Sequence, residues 1–238
     1  MRIVGRLLGA AIAAAIALGG GTASAERRLP LELLLAVDVS ASVDAEEFEL
    51  QKQGIVQAFA EESIMQSILS QGGIAVAVMF WSGATAPRPL VVGWSVLSDG
   101  GGIESFIAAV ARLERPSGFP SSTAIGNAIE SAVRAVLDNG IEGGRRVIDI
   151  ASDGKVNDGR PVTRARDLAA SRGITVNGLA VLGEEPDLED YFRANVVTSD
   201  GFVKTAASYR DFIESMEAKL RLEIAGLAGG QAAGPSVP

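Results

Sequence analysis

The chain has 238 residues, a formal net charge of −8 at pH 7, and neither cysteine nor histidine. Its acidity disfavours nucleic acids and anionic membrane surfaces, so we expect no nucleic-acid partner. The absence of cysteine excludes disulfides. The absence of histidine removes the usual zinc and copper ligands and the commonest general base. The length fits one domain of ordinary size.

The first 25 residues have the order of a secretory signal peptide. Arg2 and Arg6 form a short basic region, an apolar run follows at 7–18, and a small-residue stretch, Ala-Ser-Ala, ends at Ala25. The run is too short to span a bilayer comfortably. We therefore expect cleavage after Ala25 and a periplasmic or secreted protein with no stable membrane insertion. An uncleaved membrane anchor is the alternative.

Predicted strands and helices alternate along the remainder of the chain. Apolar runs without polar alternation predict buried strands, and segments with a helical period or capping residues predict helices. In chain order these are a strand at 33–37, a helix at 44–64, strands at 72–81 and 87–97, helices at 103–113 and 123–140, a strand at 145–152, a helix at 161–173, a strand at 174–183, a helix at 187–196, a short strand at 201–204 and a helix at 208–224.

This order predicts an α/β fold with a doubly wound, mostly parallel sheet and helices on both faces. The two prolines in 87–97 favour an edge position, and we expect one antiparallel edge strand. The three glycines at 100–102 predict a flexible turn. The tail at 225–238 has no core-forming period, and we predict that it is disordered.

Oxygen-bearing side chains follow the first predicted strand. Asp38 ends it, and Ser40 and Ser42 come at alternate positions, so an extended chain directs all three to one side. In doubly wound sheets, ligands bind beyond the carboxyl ends of the strands, where the strand order reverses. One carboxylate and two hydroxyls suit a hard divalent cation. Serine and aspartate after a strand also cap helices, so this segment alone leaves both interpretations open.

Two further segments supply oxygen atoms to the same candidate site. Thr123 begins a predicted helix after a loop rich in glycine, proline and serine, and Asp153 follows the strand at 145–152. Asp158, which precedes a glycine, is typical of a turn or helix cap. Three separate parts of the chain therefore contribute to the predicted site.

Taken together, these positions resemble the metal-ion-dependent adhesion site (MIDAS) of von Willebrand factor type A domains, the fold of integrin inserted domains. The matching residues are Asp38, Ser40, Ser42, Thr123 and Asp153. The resemblance predicts a type A domain at 26–224. It implies direct coordination of a metal by the two serines and the threonine, with the two aspartates acting largely through bound waters. The segments FWSG and VVGWSVLSDGGG are similar to an uncharacterised group of exported bacterial proteins of this type.

The resemblance implies Mg²⁺ as the cofactor, with Mn²⁺ or Ca²⁺ as alternatives. Because the serines and the threonine are neutral, only Asp38 and Asp153 offset the charge of the ion. An open coordination position then attracts a carboxylate from outside, which in this family is typically an Asp or Glu of a protein partner. We therefore predict a protein-binding module of the adhesion type, and not an enzyme.

Two alternatives stay open. A hydrolase without histidine would need a lysine base beside a serine; Lys155 lies near the site, but the chain has no G-x-S-x-G motif. A docking subunit of a chelatase or ATPase assembly would share the type A fold. Such subunits work in the cytoplasm, and the leader at 1–25 argues against that setting.

Overall fold

The computed structural model describes residues 28–183 and 185–229, with the backbone alone for 225–229. The predicted signal peptide at 1–25 lies outside these residues, as does the part of the predicted tail from residue 230 onwards. None of the helices in the described ranges combines the length and the hydropathy that crossing a bilayer requires.

A six-stranded sheet forms the centre of the molecule, with the strand order β3-β2-β1-β4-β5-β6. The strands are β1 Leu29–Asp38, β2 Ile74–Trp81, β3 Leu90–Leu97, β4 Gly143–Ser152, β5 Ile174–Val181 and β6 Val203–Ala206. Every neighbouring pair is parallel except β2 and β3, which are antiparallel. The predicted α/β class is confirmed, including the antiparallel strand at the edge.

Helices cover both faces of the sheet. They are α1 Ala45–Ala60, α2 Glu62–Ser70, α3 Gly100–Ala111, α4 Ile125–Leu137, α5 Val162–Ser171, α6 Leu188–Tyr191 and α7 Phe212–Gly229. A π-helical turn at Phe192–Val196 follows α6, and a 3₁₀ turn at Tyr209–Asp211 precedes α7. Helices α1, α2, α3 and α7 pack on one face, and α4, α5 and α6 pack on the other. This is the doubly wound arrangement that the alternation of strands and helices predicts.

Side-chain caps explain two of the differences between the predicted and the observed elements. The helix predicted at 44–64 is divided at Glu61, which is extended and accepts a hydrogen bond of 2.9 Å from the backbone N–H of Ile64 to begin α2. The three glycines at 100–102 are the first turn of α3 and not a flexible turn. Asp99 caps that turn by accepting a hydrogen bond of 2.8 Å from the N–H of Gly102.

Helix α7 extends to Gly229, beyond its predicted end at residue 224. Residues 225–229, which we predicted as part of a disordered tail, are therefore helical. No proline interrupts the backbone hydrogen bonds of this segment, because the first one after it is Pro235.

Three ionisable side chains are buried between α7 and the sheet. The ammonium of Lys219 on α7 lies 2.6 Å from a carboxylate oxygen of Asp149 on β4 and 2.6 Å from one of Glu223, one helical turn further on. All three are at most 1% exposed. Burial raises the pKa of Asp149 to about 7; the ammonium opposes this rise and the second carboxylate adds to it. Because breaking a buried ion pair costs several kcal/mol, this triad holds α7 in one register on the sheet.

We predict that the triad makes stability depend on pH. A carboxyl whose pKa is raised in the folded state keeps its proton where the unfolded chain has lost it, so stability falls as pH rises from about 4 to about 7. Relative to Asp149→Asn, the wild-type free energy of unfolding should fall by up to about 1.4 kcal/mol per pH unit in that range. Urea denaturation across the range measures both slopes.

Glu214→Gln is the matched control, because Glu214 is an exposed carboxylate on the same helix. This variant should keep the wild-type slope. Parallel pH curves for the wild type and Asp149→Asn would show that the triad holds no extra proton.

Candidate functional site

The candidate site lies where the order of the strands reverses. Strands β1 and β4 are parallel neighbours at the centre of the sheet, and the chain leaves β1 towards β2 on one side and β4 towards β5 on the other. Asp38 is the last residue of β1 and Ser152 the last of β4. Both loops that follow therefore open at the carboxyl edge, the position in which such folds bind ligands.

Four of the predicted residues form one hydrogen-bonded chain. The backbone N–H of Ser40 donates to Oδ1 of Asp38 at 2.8 Å, and the hydroxyl oxygens of Ser40 and Ser42 are 3.1 Å apart. The hydroxyl of Ser42 donates to Oδ1 of Asp153 at 2.9 Å. The loop after β1 and the loop after β4 are thus joined by their oxygen atoms.

Thr123, the fifth predicted residue, lies in the same cleft. An ideal Cβ on Gly154 would be 3.9 Å from its hydroxyl oxygen, which places that oxygen beside the segment that follows Asp153. The backbone holds it there: the N–H of Thr123 donates to Oδ1 of Asn157 at 2.8 Å, and its carbonyl accepts from the N–H of Asn157 at 3.1 Å. The structure brings all five predicted residues to one place.

Asp158 fixes the loops around Thr123. Its carboxylate accepts hydrogen bonds of 2.8 Å from the hydroxyl of Ser122 and from the backbone N–H of Ala84. These bonds lower the pKa of Asp158, the bond from Ala84 contributing most. The residue predicted as a turn or cap therefore ties together three loops: those after β2, before α4 and after β4.

Asp38 is the most buried carboxylate of the site, with none of its surface exposed. Burial raises its pKa to about 7, although hydrogen bonds from Ser152 and from the backbone of Ser40 oppose the rise, and the charge of Asp153 adds to it. The hydroxyl of Ser152 donates to Oδ2 of Asp38 at 2.5 Å. A buried carboxylate in this setting is stabilised by either a proton or a cation.

The site opens into a cleft of about 640 Å³. Beyond the predicted residues, the cleft is lined by side chains that the sequence analysis did not assign to the site, among them Glu47, Asn157 and Tyr209. Lys155, also on its wall, is bound by two acids: its ammonium lies 2.7 Å from Asp187 and 3.2 Å from Glu185. Those hydrogen bonds, chiefly the one with Asp187, raise the pKa of Lys155.

The donor set fits a hard divalent cation. Within residues 28–183 and 185–229, no cluster of three or more Asp, Glu, His or Cys side chains has a metal-binding arrangement, and the site instead combines two carboxylates with three hydroxyls. Neighbouring ligands of an octahedral Mg²⁺ ion at about 2.1 Å are about 3 Å apart. The hydroxyl oxygens of Ser40 and Ser42, 3.1 Å apart, match that spacing, and the carboxylate of Asp153 lies within hydrogen-bond distance of Ser42, at 2.9 Å.

The site residues missed by the sequence analysis depend on register and on loop packing. Ser152 stands beside Asp38 because β1 and β4 pair with Val37 opposite Ala151, and the sequence of neither strand specifies that register. Tyr209 reaches the cleft from the turn before α7, far along the chain. No pattern in the sequence connects it with the other residues.

Comparisons with solved structures show the fold. A von Willebrand factor type A structure from Catenulispora acidiphila is 16% identical, with 83% of this chain and 43% of that chain covered and a TM-score of 0.58. Proximal thread matrix protein 1 from the mussel byssus, in a structure with a zinc-occupied MIDAS motif, is 14% identical, with 83% and 48% covered and a TM-score of 0.57. The chain thus spans less than half the length of these two proteins.

A third solved structure has nearly the same extent as this chain. The conserved hypothetical protein BatB from Bacteroides thetaiotaomicron is 20% identical, with 84% of this chain and 100% of that chain covered and a TM-score of 0.54. No curated protein matches the sequence. A family model described as "Protein of unknown function (DUF1194)" matches residues 28–228, nearly all of the described chain. The chain therefore belongs to the DUF1194 family, and its fold is that of a von Willebrand factor type A domain.

Proposed function

We propose that this protein is an exported, non-enzymatic binding module that holds a divalent cation and uses it to engage an acidic side chain of a partner protein. The ion is Mg²⁺, with Mn²⁺ or Ca²⁺ as alternatives, and the residues that hold it, directly or through water, are Asp38, Ser40, Ser42, Thr123 and Asp153. The observation that carries the proposal is the continuous chain of oxygen contacts from the loop after β1 to the loop after β4.

Each residue has a defined role in this proposal. Ser40, Ser42 and Thr123 bind the ion directly, and Asp38 and Asp153 act through bound waters. The bound ion supplies an open coordination position and a positive charge that two carboxylates do not over-neutralise. Asp38 offsets part of the charge of the ion from the buried side of the site. Hydrogen bonds from Ser152 and from the backbone of Ser40 fix its carboxylate oxygens.

The solved relatives support a cation at this place. The mussel byssus protein carries zinc in its MIDAS motif. Here the donors are all oxygen atoms, with no histidine or cysteine anywhere in the chain. Oxygen donors favour Mg²⁺, Mn²⁺ or Ca²⁺ over zinc, which prefers nitrogen and sulfur.

The contacts of three of the four lysines disfavour the hydrolase alternative. A Ser–Lys hydrolase needs a lysine that loses its proton easily. Lys155, the lysine beside the site, is hydrogen-bonded to Asp187, and its pKa is raised. Lys219 is buried in the triad under α7, and Lys52 is paired with Glu49. The docking-subunit alternative shares the fold, and the signal peptide predicted at 1–25 disfavours its cytoplasmic setting.

We predict that metal binding requires both Asp38 and Thr123. Asp38→Ala and Thr123→Ala should each lower the affinity for Mg²⁺ at least about tenfold, because each removes a group that holds the ion or offsets its charge. Isothermal titration calorimetry with Mg²⁺ and with Mn²⁺ measures the loss. Asp138→Ala is the control, since Asp138 is exposed at the far end of α4 from Thr123. Equal affinities in all four proteins would contradict the site.

We further predict that Ser152 sets metal affinity without touching the ion. Ser152→Ala removes the hydroxyl that orients Oδ2 of Asp38 and should weaken Mg²⁺ binding about tenfold, the usual effect of losing a group that orients a metal ligand. Ser171→Ala is the matched control, because that exposed hydroxyl bonds only to a helix carbonyl on α5. If Ser152→Ala binds Mg²⁺ with the affinity of the wild type, the orientation of Asp38 by Ser152 does not contribute to metal binding, contrary to the proposal.

Partner binding should depend on the metal. In a pull-down from periplasmic extract, we expect proteins that are retained with Mg²⁺ and lost both with chelator and with Asp38→Ala, because the ion supplies the contact. Mass spectrometry of the three eluates identifies them, and Asp138→Ala should retain the same set as the wild type. Identical eluates under all conditions would rule out metal-dependent recognition.

A further inference from the structure

The hydroxyl of Tyr209 is a buried polar group without a partner at the edge of the cleft. The side chain is 6% exposed, and none of the described residues is in hydrogen-bonding geometry with its oxygen atom. The residue lines the same cleft as Ser42, Thr123 and Asp153. Leaving a buried hydroxyl unpaired costs about 1–3 kcal/mol, so packing alone favours a phenylalanine here.

The turn that carries Tyr209 is held firmly in place. Ser208 and Asp211 form a capping box, in which the N–H and the hydroxyl of Ser208 donate to Oδ2 of Asp211 at 3.0 and 2.8 Å. The ring of Tyr209 stacks on that of Phe212, with their centroids 6.3 Å apart. The position of the hydroxyl oxygen is therefore fixed before any ligand arrives.

The surroundings of Tyr209 make it a hydrogen-bond donor. A phenol keeps its proton at pH 7, and the carboxylates of Asp153, Asp38 and Glu47 all lie near it. The phenol stays neutral and presents an O–H beside the proposed metal position. Two other donors on the cleft wall are already engaged: Lys155 with two acids, and the backbone of Asn157 with Thr123.

We propose that Tyr209 donates a hydrogen bond to the partner's carboxylate, at the oxygen atom that does not bind the metal. The inference rests on the proposed function and adds a specificity-determining residue to it. A carboxylate accepts a charge-assisted hydrogen bond from the phenol, whereas the amide of Asn or Gln can offer an N–H₂ group here, whose bond to the phenol oxygen is neutral and weaker. Tyr209 thereby favours an acidic side chain over its amide.

The chain has two tyrosines, which allows a direct test by NMR. In Tyr191→Phe, ring-¹³C tyrosine labelling reports on Tyr209 alone. The probes are N-acetylglutamate amide and, as the uncharged control, N-acetylglutamine amide. With Mg²⁺ present, the acid should shift the Tyr209 Cζ resonance in a saturable way, and the amide should not. Without Mg²⁺, neither probe should shift it.

Tyr209→Phe separates ligand contact from metal binding. We expect its Mg²⁺ affinity by calorimetry to stay within about twofold of the wild type, because the phenol is not a ligand of the ion. Its affinity for the glutamate probe should fall about tenfold, the effect of losing one hydrogen bond to a charged group.

The other outcomes overturn the inference in distinguishable ways. If Mg²⁺ alone produces the whole resonance shift, or if Tyr209→Phe binds the acid normally, Tyr209 does not contact the ligand, and the proposed function stands. If the Mg²⁺-loaded wild type does not bind the acid, the carboxylate ligand is wrong. If Mg²⁺ itself does not bind, the proposed function and the inference both fail.

Discussion

The structure depends on one constraint at its centre, which is that a fully buried carboxylate, Asp38, ends one of the two central strands of the sheet. Burying such a group is costly unless its oxygens are bonded, and the bonds come from the loop of β1 itself and from Ser152 at the end of β4. Strands β1 and β4 must therefore end level with each other. That requirement places the two loops side by side and opens the cleft at the point where the strand order reverses.

A second buried group of charges connects this edge of the sheet with α7. Asp149 lies on β4, three residues before Ser152, and pairs with Lys219 on the helix. The ion pair fixes the position of α7 along the direction of the strands. The turn that carries Tyr209 leads directly into that helix. The position of the phenol at the cleft thus follows from contacts deep in the core. Buried charges are weak evidence for extra stability, but they are effective at selecting one register among several.

The sequence predicts the sheet well, and it predicts five oxygen-bearing residues that the structure brings together, because both rest on local patterns. Apolar runs such as 33–37 and 72–81 are buried on both faces, and the alternation of Asp38 with two serines is visible without a fold. The helix break at Glu61 and the glycines that begin α3 were missed because each depends on one side-chain cap. Ser152 and Tyr209 were missed because the register of the strands and the packing of α7 bring them to the cleft. Neither the register nor the packing can be read from a short stretch of sequence.

The charges around the cleft explain why a metal is the natural means of recognition in the proposed function. The wall carries Asp153 and Glu47, and the ammonium of Lys155 is already occupied by Asp187 and Glu185. Without an ion, this surface repels an acidic side chain, because like charges meet across a short distance. With an ion, Asp38 and Asp153 offset its charge, the neutral hydroxyls add none, and the open coordination position lets an outside carboxylate bind. A neutral donor such as Tyr209 then adds selectivity without adding a positive charge, so binding remains conditional on the metal.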